Sequence, residues 1–533
     1  MKSFVIIIAY LFFLQTGLSA QNIYIKVKSP EINDFQGALK FLSSGWMEGR
    51  ETGEKGSFMA ADYVASMMQF CNLVPYNKTD VLNQTNNKQF DYFQDFELIR
   101  YSIEKSNLSL IKKTAGSQSL VNFSRGIDYH VNAVPHGREA EAPVVFAGYG
   151  ISSAENGYDD YKGIDVKNKI VLILRGFPGC IDTNSFAYKK FVTLYTDDEV
   201  TMEIKENAAR QHGAIAIVVI NTEDDSVFSH GNSDIIASEM NLKPNKEPVY
   251  EDADYILPAD IMDAQIPLFL VNKSAGMEVL SGTGIKVHDF EVKATQLITS
   301  SLLIKDKSIG FSIAVKKKSL PVRNVIGLIE GKDRNKNIIL GAHYDHLGKR
   351  NEDIYYGADD NASGTAGLLA LAKVWTGSGI QPACNLIFAS WTAEEKGLLG
   401  SRFFAQTLNI DKKNILLYLN MDMISGSEKS DTARRQLSIG TMKVDKHLRE
   451  LAILENSNLN RQFILDLWDV TGHTGSDYAS FTEMNVPVMT FNSGLHDYYH
   501  TPGDKALKTD EEKMKNILKL INNCLKKMMD KIP

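Results

Sequence analysis

The sequence predicts an α/β protein with a mixed, mostly parallel sheet sandwiched by helices, and with an inserted β-rich domain. After Asn324, strand and helix patterns alternate along the chain. The strand cores there are nearly continuous apolar runs, which is typical of a parallel sheet that helices cover on both faces. Between about Ser106 and Lys293, short β-like runs separated by Gly, Asn and Asp replace this alternation.

The length and the net charge of the chain restrict its possible domain number and its possible partners. A chain of 533 residues that is 44% hydrophobic is too long to fold around a single hydrophobic core. We therefore expect two or three separately packed units. The net charge of -7, from 58 basic and 65 acidic residues, argues against nucleic-acid binding. Neither feature determines the oligomeric state.

The N-terminus has the three regions of a secretory signal peptide, with a basic start, an apolar run from Phe4 to Leu14, and small residues before a cleavage site after Ala20. The apolar run is about half of the ~20 residues that a membrane span requires. No second long apolar segment follows it. We therefore expect a secreted or periplasmic protein without a membrane span in the mature chain.

Helical apolar spacing follows the signal peptide, from Phe35 to Phe41 and from Ser57 to Phe70. The turn-rich stretch between these helices contains Arg50, for which we expect a loop-pinning ion pair. Four cysteines are scattered along the chain without a CxxC pattern, which favours buried free thiols over disulfides. They are Cys71, Cys180, Cys384 and Cys524.

The remaining elements follow from the same patterns. Strands are predicted at Ala142 to Ala147, Lys169 to Leu174, Ala214 to Ile220, Ile266 to Val271, Val325 to Glu330, Ile338 to Ala342, Leu386 to Ser390, Ile415 to Asn420 and Val486 to Phe491. Helices are predicted at Val200 to Gln211, Gly364 to Trp375, Leu398 to Leu408 and Glu511 to Met529. His212 and His230, in the β-rich stretch, are expected to be structural or solvated.

Polar side chains that suit a metal site follow these strands, where the carboxyl ends of parallel strands converge. His343 ends a strand and Asp345 comes two positions later, a spacing that suits a metal-bound imidazole whose other N–H meets a carboxylate. Alone, this pair would indicate only a polar strand end. Asp360 precedes a helix and can span two cations, although Asn361 or Ser363 beside it could simply cap that helix.

Two adjacent glutamates, Glu394 and Glu395, add a further indication. Because adjacent side chains diverge, one should bind metal while the other faces the attacking water. Asp422 lies between apolar residues at a strand end, where an unpaired carboxylate is costly. With His500, the set comprises five metal-binding side chains and one surplus carboxylate, as a two-metal hydrolase requires.

These motifs together resemble the M28 family of zinc metallopeptidases over roughly Glu31 to Phe96 and Ala314 to Lys527, which implies the zinc exopeptidase fold. By position, the resemblance implies a bridging ligand at Asp360, a general base at Glu394, and Asp345 as the partner of His343. It also implies a cis peptide bond between Asp360 and Asn361. The terminal ligands of two zinc ions would be His343, Glu395, Asp422 and His500.

The stretch from Ser106 to Lys293 resembles the protease-associated (PA) domain. We therefore expect a signal peptide at 1–20, peptidase parts at 21–105 and 296–533, and a PA domain at 106–295. Many M28 members carry Ser-Asp-His where this chain has Ser476-Asp477-Tyr478. This departure leaves the side-chain preference for substrate open.

The implied function is an exported aminopeptidase that acts on peptides with a free N-terminus through a metal-bridging hydroxide. Tyr499 is a candidate oxyanion donor, although a packing role is equally compatible. The alternatives are a carboxypeptidase or dipeptidase on the same scaffold, and a non-catalytic PA-domain binding protein. A carboxypeptidase would need basic residues gathered near Asp497 to Asp504. A non-catalytic binding protein would be expected to lack metal ligands or the general base. The related glutaminyl cyclases use one zinc, whereas this chain has all five ligands.

Overall fold

The computed structural model describes residues 23–76, 92–114, 116–132, 134–195, 198–222, 253–263, 266–470 and 475–532. They form two compact units, a discontinuous unit of residues 1–97 and 320–533 and an inserted unit of residues 98–319. The signal peptide and His230 lie outside the described residues. Within the described part of the chain, no helix is long and apolar enough to cross a membrane.

The discontinuous unit is an α/β unit. Its α-helices are Ile32–Leu42, Lys55–Phe70, Gly364–Gly377, Leu399–Thr407, Lys446–Ser457, Tyr478–Thr482 and Glu511–Lys531. Its strands are Val74–Pro75, Asp333–His343, Lys349–Arg350, Asp353–Ile354, Cys384–Trp391, Ile415–Met421, Gln436–Thr441, Ile464–Asp469 and Val488–Asn492, together with the end of Ser301–Ile329. Short 3-10 turns are Ile23–Lys26, Gly45–Arg50, Lys412–Asn414 and Ala506–Lys508, and a wider turn is Ala358–Ser363.

The sheet of this unit is mixed and mostly parallel, as predicted. Asp333–His343 lies at its centre and pairs in parallel with Cys384–Trp391 on one side and Ile415–Met421 on the other. Val488–Asn492 continues the parallel set beyond Ile415–Met421. Antiparallel pairing appears where Gln436–Thr441 joins Val488–Asn492 and where Ser301–Ile329 joins Cys384–Trp391.

Helices cover both faces of this sheet, which explains the continuous apolar runs. Along the central strand, Ile338 and Leu340 enter one core, while Ile339 between them enters the other. The first core is closed by helices such as Gly364–Gly377, and the second by Leu399–Thr407. Because successive strand residues point to opposite faces, both parities must be apolar here.

The inserted unit is built around four parallel strands, Arg138–Ala147, Ile170–Leu174, Ala216–Ile220 and Leu268–Val271. Tyr129–Val131 and residues 301–313 of Ser301–Ile329 flank this set in antiparallel orientation. The remaining strands are Phe93–Thr114, Ser117–Phe123, Ser152–Ser153, Tyr158–Asp159 and Asp254–Ile256. The helices are Phe186–Tyr195, Asp198–Gln211, Lys273–Leu280 and Val287–Ala294, with a 3-10 turn at Pro258–Asp263.

The inserted unit is more helical than the sequence indicated, since only the helix ending at Gln211 was predicted. The segment Phe186–Tyr195 is rich in aromatic residues, which favour strands. Its buried residues Ala187, Phe191 and Tyr195 nevertheless recur every four positions, the spacing of one helix face. That spacing was the signal for the missed helix.

Two smaller predictions agree with the structure. All four cysteines are free thiols, and three of them are buried while Cys180 is partly exposed. The ring of His212 stacks on Tyr161 with 4.5 Å between ring centroids, which is a structural contact.

Candidate metal centre

The structure brings all six predicted metal-site residues to the carboxyl edge of the parallel sheet. His343 is the last residue of the central strand, and Asp422 directly follows the neighbouring strand Ile415–Met421. Glu394 and Glu395 follow Cys384–Trp391 on the other side. Asp360 comes from the turn before helix Gly364–Gly377, and His500 from the loop after Val488–Asn492.

Asp360 stands between the two outer imidazoles. Its Oδ1 atom lies 3.4 Å from Nε2 of His343, and its Oδ2 atom lies 3.1 Å from Nε2 of His500. The backbone N–H groups of Asp359 and Asp360 donate to the carboxylate of Asp504, which fixes this turn. The peptide bond from Asp360 to Asn361 is cis, and the Asn361 side chain accepts a hydrogen bond from Gly364 at the helix start.

The remaining ligand candidates divide into one group on each side of Asp360. On one side, Oδ1 of Asp422 lies 3.3 Å from Nε2 of His343. On the other, Oε2 of Glu395 lies 3.3 Å from Nε2 of His500. The arrangement therefore provides two sets of donor atoms that share one carboxylate.

Backbone contacts fix the orientation of these side chains. Asp422 donates its N–H to the carbonyl of Phe491 and accepts from the side chain of Asn492 through its own carbonyl. The carbonyl of His343 accepts from the hydroxyl of Thr365. Neighbouring strands and the first helical turn thus set the ligand positions.

Glu394 is nearly buried and close to the first group, but it is farther from the imidazole than the two ligand candidates. Its Oε2 atom lies 3.9 Å from Nε2 of His343. Burial raises the pKa of Glu394 well above its usual range, and the carboxylates of Asp422 and Glu395 add to the rise against the opposing effect of His343. Burial beside other carboxylates thus raises the proton affinity of Glu394, which suits a group that accepts a proton during a reaction.

The pKa of Glu395, in the second group, is shifted in the opposite direction from that of Glu394. Burial and Asp360 act to raise the pKa of Glu395, but the imidazoles of His346 and His500 outweigh them and lower it to about 2. Burial acts to lower the pKa of His500, but Asp360 and Glu395 outweigh it and raise it to about 10. Both shifts reflect the attraction between these carboxylates and the neighbouring imidazoles.

The excess of negative charge among these residues makes the site suitable for metal cations. Six carboxylates gather at or beside the site, and the ion-pair partners of the ligand candidates and Glu394 among the described residues are histidines. Besides Asp359 and Asp504 at the turn of Asp360, the six are Asp345, Asp360, Glu394, Glu395, Asp422 and Asp477. Buried carboxylates in such excess are paired with or coordinated to cations. Grouped by distance alone, His343 with Asp360 and Glu395 and His343 with Glu394 and Asp422 offer ligand atoms within 4.8 Å of one another, so the exclusion of Glu394 from the ligands rests on its longer distance to His343.

Asp345 lies where the sequence placed it, but its contacts differ from the expected ones. Nδ1 of His343 lies 3.2 Å from the backbone carbonyl of Asp345, whereas the nearest carboxylate oxygen is 3.8 Å away. The carboxylate instead accepts from the hydroxyl of Thr52 and from the N–H of Glu394. Asp345 therefore holds both the imidazole and the turn that carries Glu394.

This double contact gives a prediction for Asp345→Asn. The variant should keep the fold but bind zinc about 10 to 100-fold more weakly, the usual effect of losing a group that orients a ligand. Thr52→Val, which removes one hydrogen bond to Asp345 and leaves its charge, is the matched control and should have a smaller effect. Zinc affinity measured by competition with a chelator distinguishes them, and unchanged affinity in Asp345→Asn would show that the carboxylate does not support the site.

Tyr499 lies against the second group. Its ring stacks on that of His500 with 3.8 Å between centroids, and the side chain remains partly exposed. Burial raises the pKa of its hydroxyl, which therefore stays protonated at neutral pH. This contact supports packing, and the role of oxyanion donor stays a prediction.

Sequence reasoning missed two groups of residues at the site. His346 is fully buried, and its Nδ1 atom lies 2.6 Å from Oε1 of Glu395. Asp504 orients the turn of Asp360, and Asp359 lies 3.2 Å from the ring of His496. His346 lies three residues after His343, and Asp504 lies four residues after His500. This closeness to a predicted ligand in the sequence was the signal that could have identified them.

The expected ion pair of Arg50 is not the contact that the structure shows. Its guanidinium is fully buried and donates to backbone carbonyls of Leu42, Tyr344, Tyr356 and Gly357. Burial lowers the pKa of Arg50 to about 10, so the group stays protonated at neutral pH. Arg50 therefore fixes the backbone between His343 and Asp360 through hydrogen bonds, and its positive charge interacts with nearby carboxylates such as Asp360 and Asp504.

Known protein families match both units. A family model described as peptidase family M28 matches residues 324–525, and one described as PA domain matches residues 140–278. The solved structure of an aminopeptidase from Aneurinibacillus sp. strain AM-1 is similar, with a TM-score of 0.53 and 20% identity. That similarity covers 93% of this chain and 94% of the other, and it shows a common fold.

Two curated relatives are similar in sequence. Leucine aminopeptidase 2 of Trichophyton rubrum is 36% identical over 195 residues, which cover 36% of this chain and 35% of the relative. A Caenorhabditis elegans protein named glutamate carboxypeptidase 2 homolog is 26% identical over 444 residues, which cover 73% of this chain and 54% of that protein. The match thus spans about a third of the first relative and about half of the second.

Proposed function

This chain belongs to peptidase family M28 and carries an inserted PA domain, and on that premise we propose that it is an exported di-zinc aminopeptidase. The observation that carries the proposal is the position of Asp360, whose two oxygens face different histidines. One cation would be held by His343, Asp360 and Asp422, and the other by Asp360, Glu395 and His500. Imidazole nitrogen and carboxylate oxygen are ligands that suit zinc.

The proposed reaction is hydrolysis of a peptide bond. When bound, two zinc ions lower the pKa of a water molecule and stabilise the negative charge that develops on the carbonyl oxygen. Glu394 accepts the proton of the attacking water and returns it to the leaving amine. Burial raises the proton affinity of Glu394, which supports its holding this proton and donating it to the amine as the peptide bond breaks.

The acidic surroundings favour cleavage at the amino end of a substrate. Among the described residues, no lysine or arginine forms an ion pair within 4 Å of the carboxylates of Asp360, Glu394, Glu395 or Asp422. A free ammonium group would be attracted to this site and a terminal carboxylate repelled. The similarity to leucine aminopeptidase 2 of T. rubrum supports the same direction, whereas the C. elegans relative is named a carboxypeptidase homolog, so the direction of cleavage is the point to test.

Export is the part of the proposal that rests on residues 1–20 alone. Their basic start, apolar run and small residues before Ala20 are typical of a cleavable signal. We expect the mature protein to begin at Gln21 and to act outside the cytoplasm. N-terminal sequencing of the exported protein tests this, and retention of Met1 would contradict it.

The direction of cleavage gives a prediction that tests the function. The zinc-loaded protein should release residues one at a time from the amino end of a short peptide, and it should not cleave the same peptide after N-acetylation. C-terminal amidation should have little effect. Mass spectrometry of the products of all three peptides is sufficient. Cleavage of the acetylated peptide, or loss of residues from the carboxyl end, would indicate the carboxypeptidase or dipeptidase alternative.

A further inference from the structure

His496 connects the two chain segments that carry the second group of ligands. Its Nδ1 atom accepts a hydrogen bond of 3.2 Å from the backbone N–H of Tyr498, two residues before His500. Its Nε2 atom lies 3.2 Å from Oδ2 of Asp359, the residue before Asp360. One imidazole therefore contacts the neighbourhoods of both the bridging ligand and a terminal ligand.

The contact to Asp359 is well defined. Oδ1 of Asp359 accepts from the backbone N–H and the hydroxyl of Ser425, both at 2.7 Å. Oδ2 is buried and forms no hydrogen bond within the described part of the chain, and Nε2 of His496, 3.2 Å away, is its ion-pair partner there. Because Nδ1 accepts from Tyr498, the neutral ring must carry its proton on Nε2, directed towards Asp359.

His500 needs such support more than His343 does. His343 is 1% exposed and ends the central strand, whereas the side chain of His500 is 37% exposed. His500 lies on a loop whose backbone has φ 53 at this residue, and Tyr498 and Tyr499 before it are also exposed. A ligand on such a loop depends on side-chain contacts for its position.

We propose that His496 is a positioning residue that holds His500 in place relative to Asp360 and thereby raises the affinity of the cation bound by Glu395 and His500. The inference rests on the proposed function for the identity of these ligands. The cation bound by His343 and Asp422 depends less on this contact, since strand ends hold both residues and Asp504 separately holds the turn of the shared ligand Asp360.

Zinc titration of the metal-free protein tests the inference without an activity assay. His496→Ala removes both contacts of the ring and should weaken the second zinc by about 10 to 100-fold while weakening the first much less. The amide of asparagine can reach the position of Nδ1, and that of glutamine the position of Nε2. His496→Asn and His496→Gln should therefore lie between the wild type and His496→Ala.

The control is His447→Ala, which changes an exposed histidine on helix Lys446–Ser457 and should leave both affinities unchanged. Unchanged binding of the second zinc in His496→Ala, or equal weakening of both zinc ions, would overturn the inference. In either case two bound zinc ions in the wild type would leave the proposed function standing. A wild-type protein that binds no zinc would contradict both proposals.

Discussion

Glu394→Gln is expected to leave both zinc ions bound and to lower turnover by about 10² to 10⁴-fold, the contribution of a general base. Glutamine keeps the shape of the side chain but cannot accept a proton from water. The structure supports this separation of roles, because Glu394 lies 3.9 Å from His343 while Asp360 and Asp422 lie closer. The metal ligands should therefore be complete without it.

The matched control is Glu395→Gln, one residue along the chain. Because Glu395 lies against His500 and His346, this change should lose about one zinc per chain as well as activity. Metal content and single-turnover rates measured on both variants separate the two residues. Loss of zinc from Glu394→Gln, with retention in Glu395→Gln, would show that the roles are reversed.

Of the substitutions proposed for this protein, Arg50→Met is expected to lower the free energy of unfolding most. Arg50 donates to four backbone carbonyls, of which that of Gly357 also accepts from Ala362, and each of the other three left without a partner costs about 1–3 kcal/mol. The free energy of unfolding should therefore fall by at least about 3 kcal/mol, at the upper end of the usual range for one substitution. The affected backbone joins His343 to Asp360, so zinc affinity should fall as well.

Urea unfolding of the metal-free protein measures this effect apart from zinc binding. Arg461→Met is the control, since Arg461 donates to a single carbonyl, that of Ala433, at an exposed position. It should change the free energy of unfolding by no more than about 1 kcal/mol. Equal effects of the two substitutions would refute the role given to Arg50.

The sequence predicted the sheet of the discontinuous unit well because its residues follow strong local rules. The run ending at His343 is apolar at every core position, and in the structure Ile338 and Ile339 enter opposite cores. Asp422 was identifiable because a carboxylate between two methionines at a strand end is costly without a partner. Such signals are carried by neighbours in the chain.

Contacts between distant segments could not be predicted in this way. The bond from Arg50 to carbonyls around Tyr356, and the approach of His496 to Asp359, depend on loops whose path no periodicity indicates. The short strand Ile464–Asp469 at the sheet edge was missed for a related reason, since its residues are largely exposed and lack a continuous apolar run. These are the parts of the site that required the structure.

The central claim is that Asp360 lies between two metal ions while Glu394 binds neither. Crystals of the zinc-loaded protein, with diffraction collected on both sides of the zinc absorption edge, test it most directly. We predict two anomalous peaks per chain, one beside His343 and Asp422 and the other beside Glu395 and His500, with Asp360 between them. A single peak, or a peak coordinated by Glu394 in place of Glu395, would contradict the account.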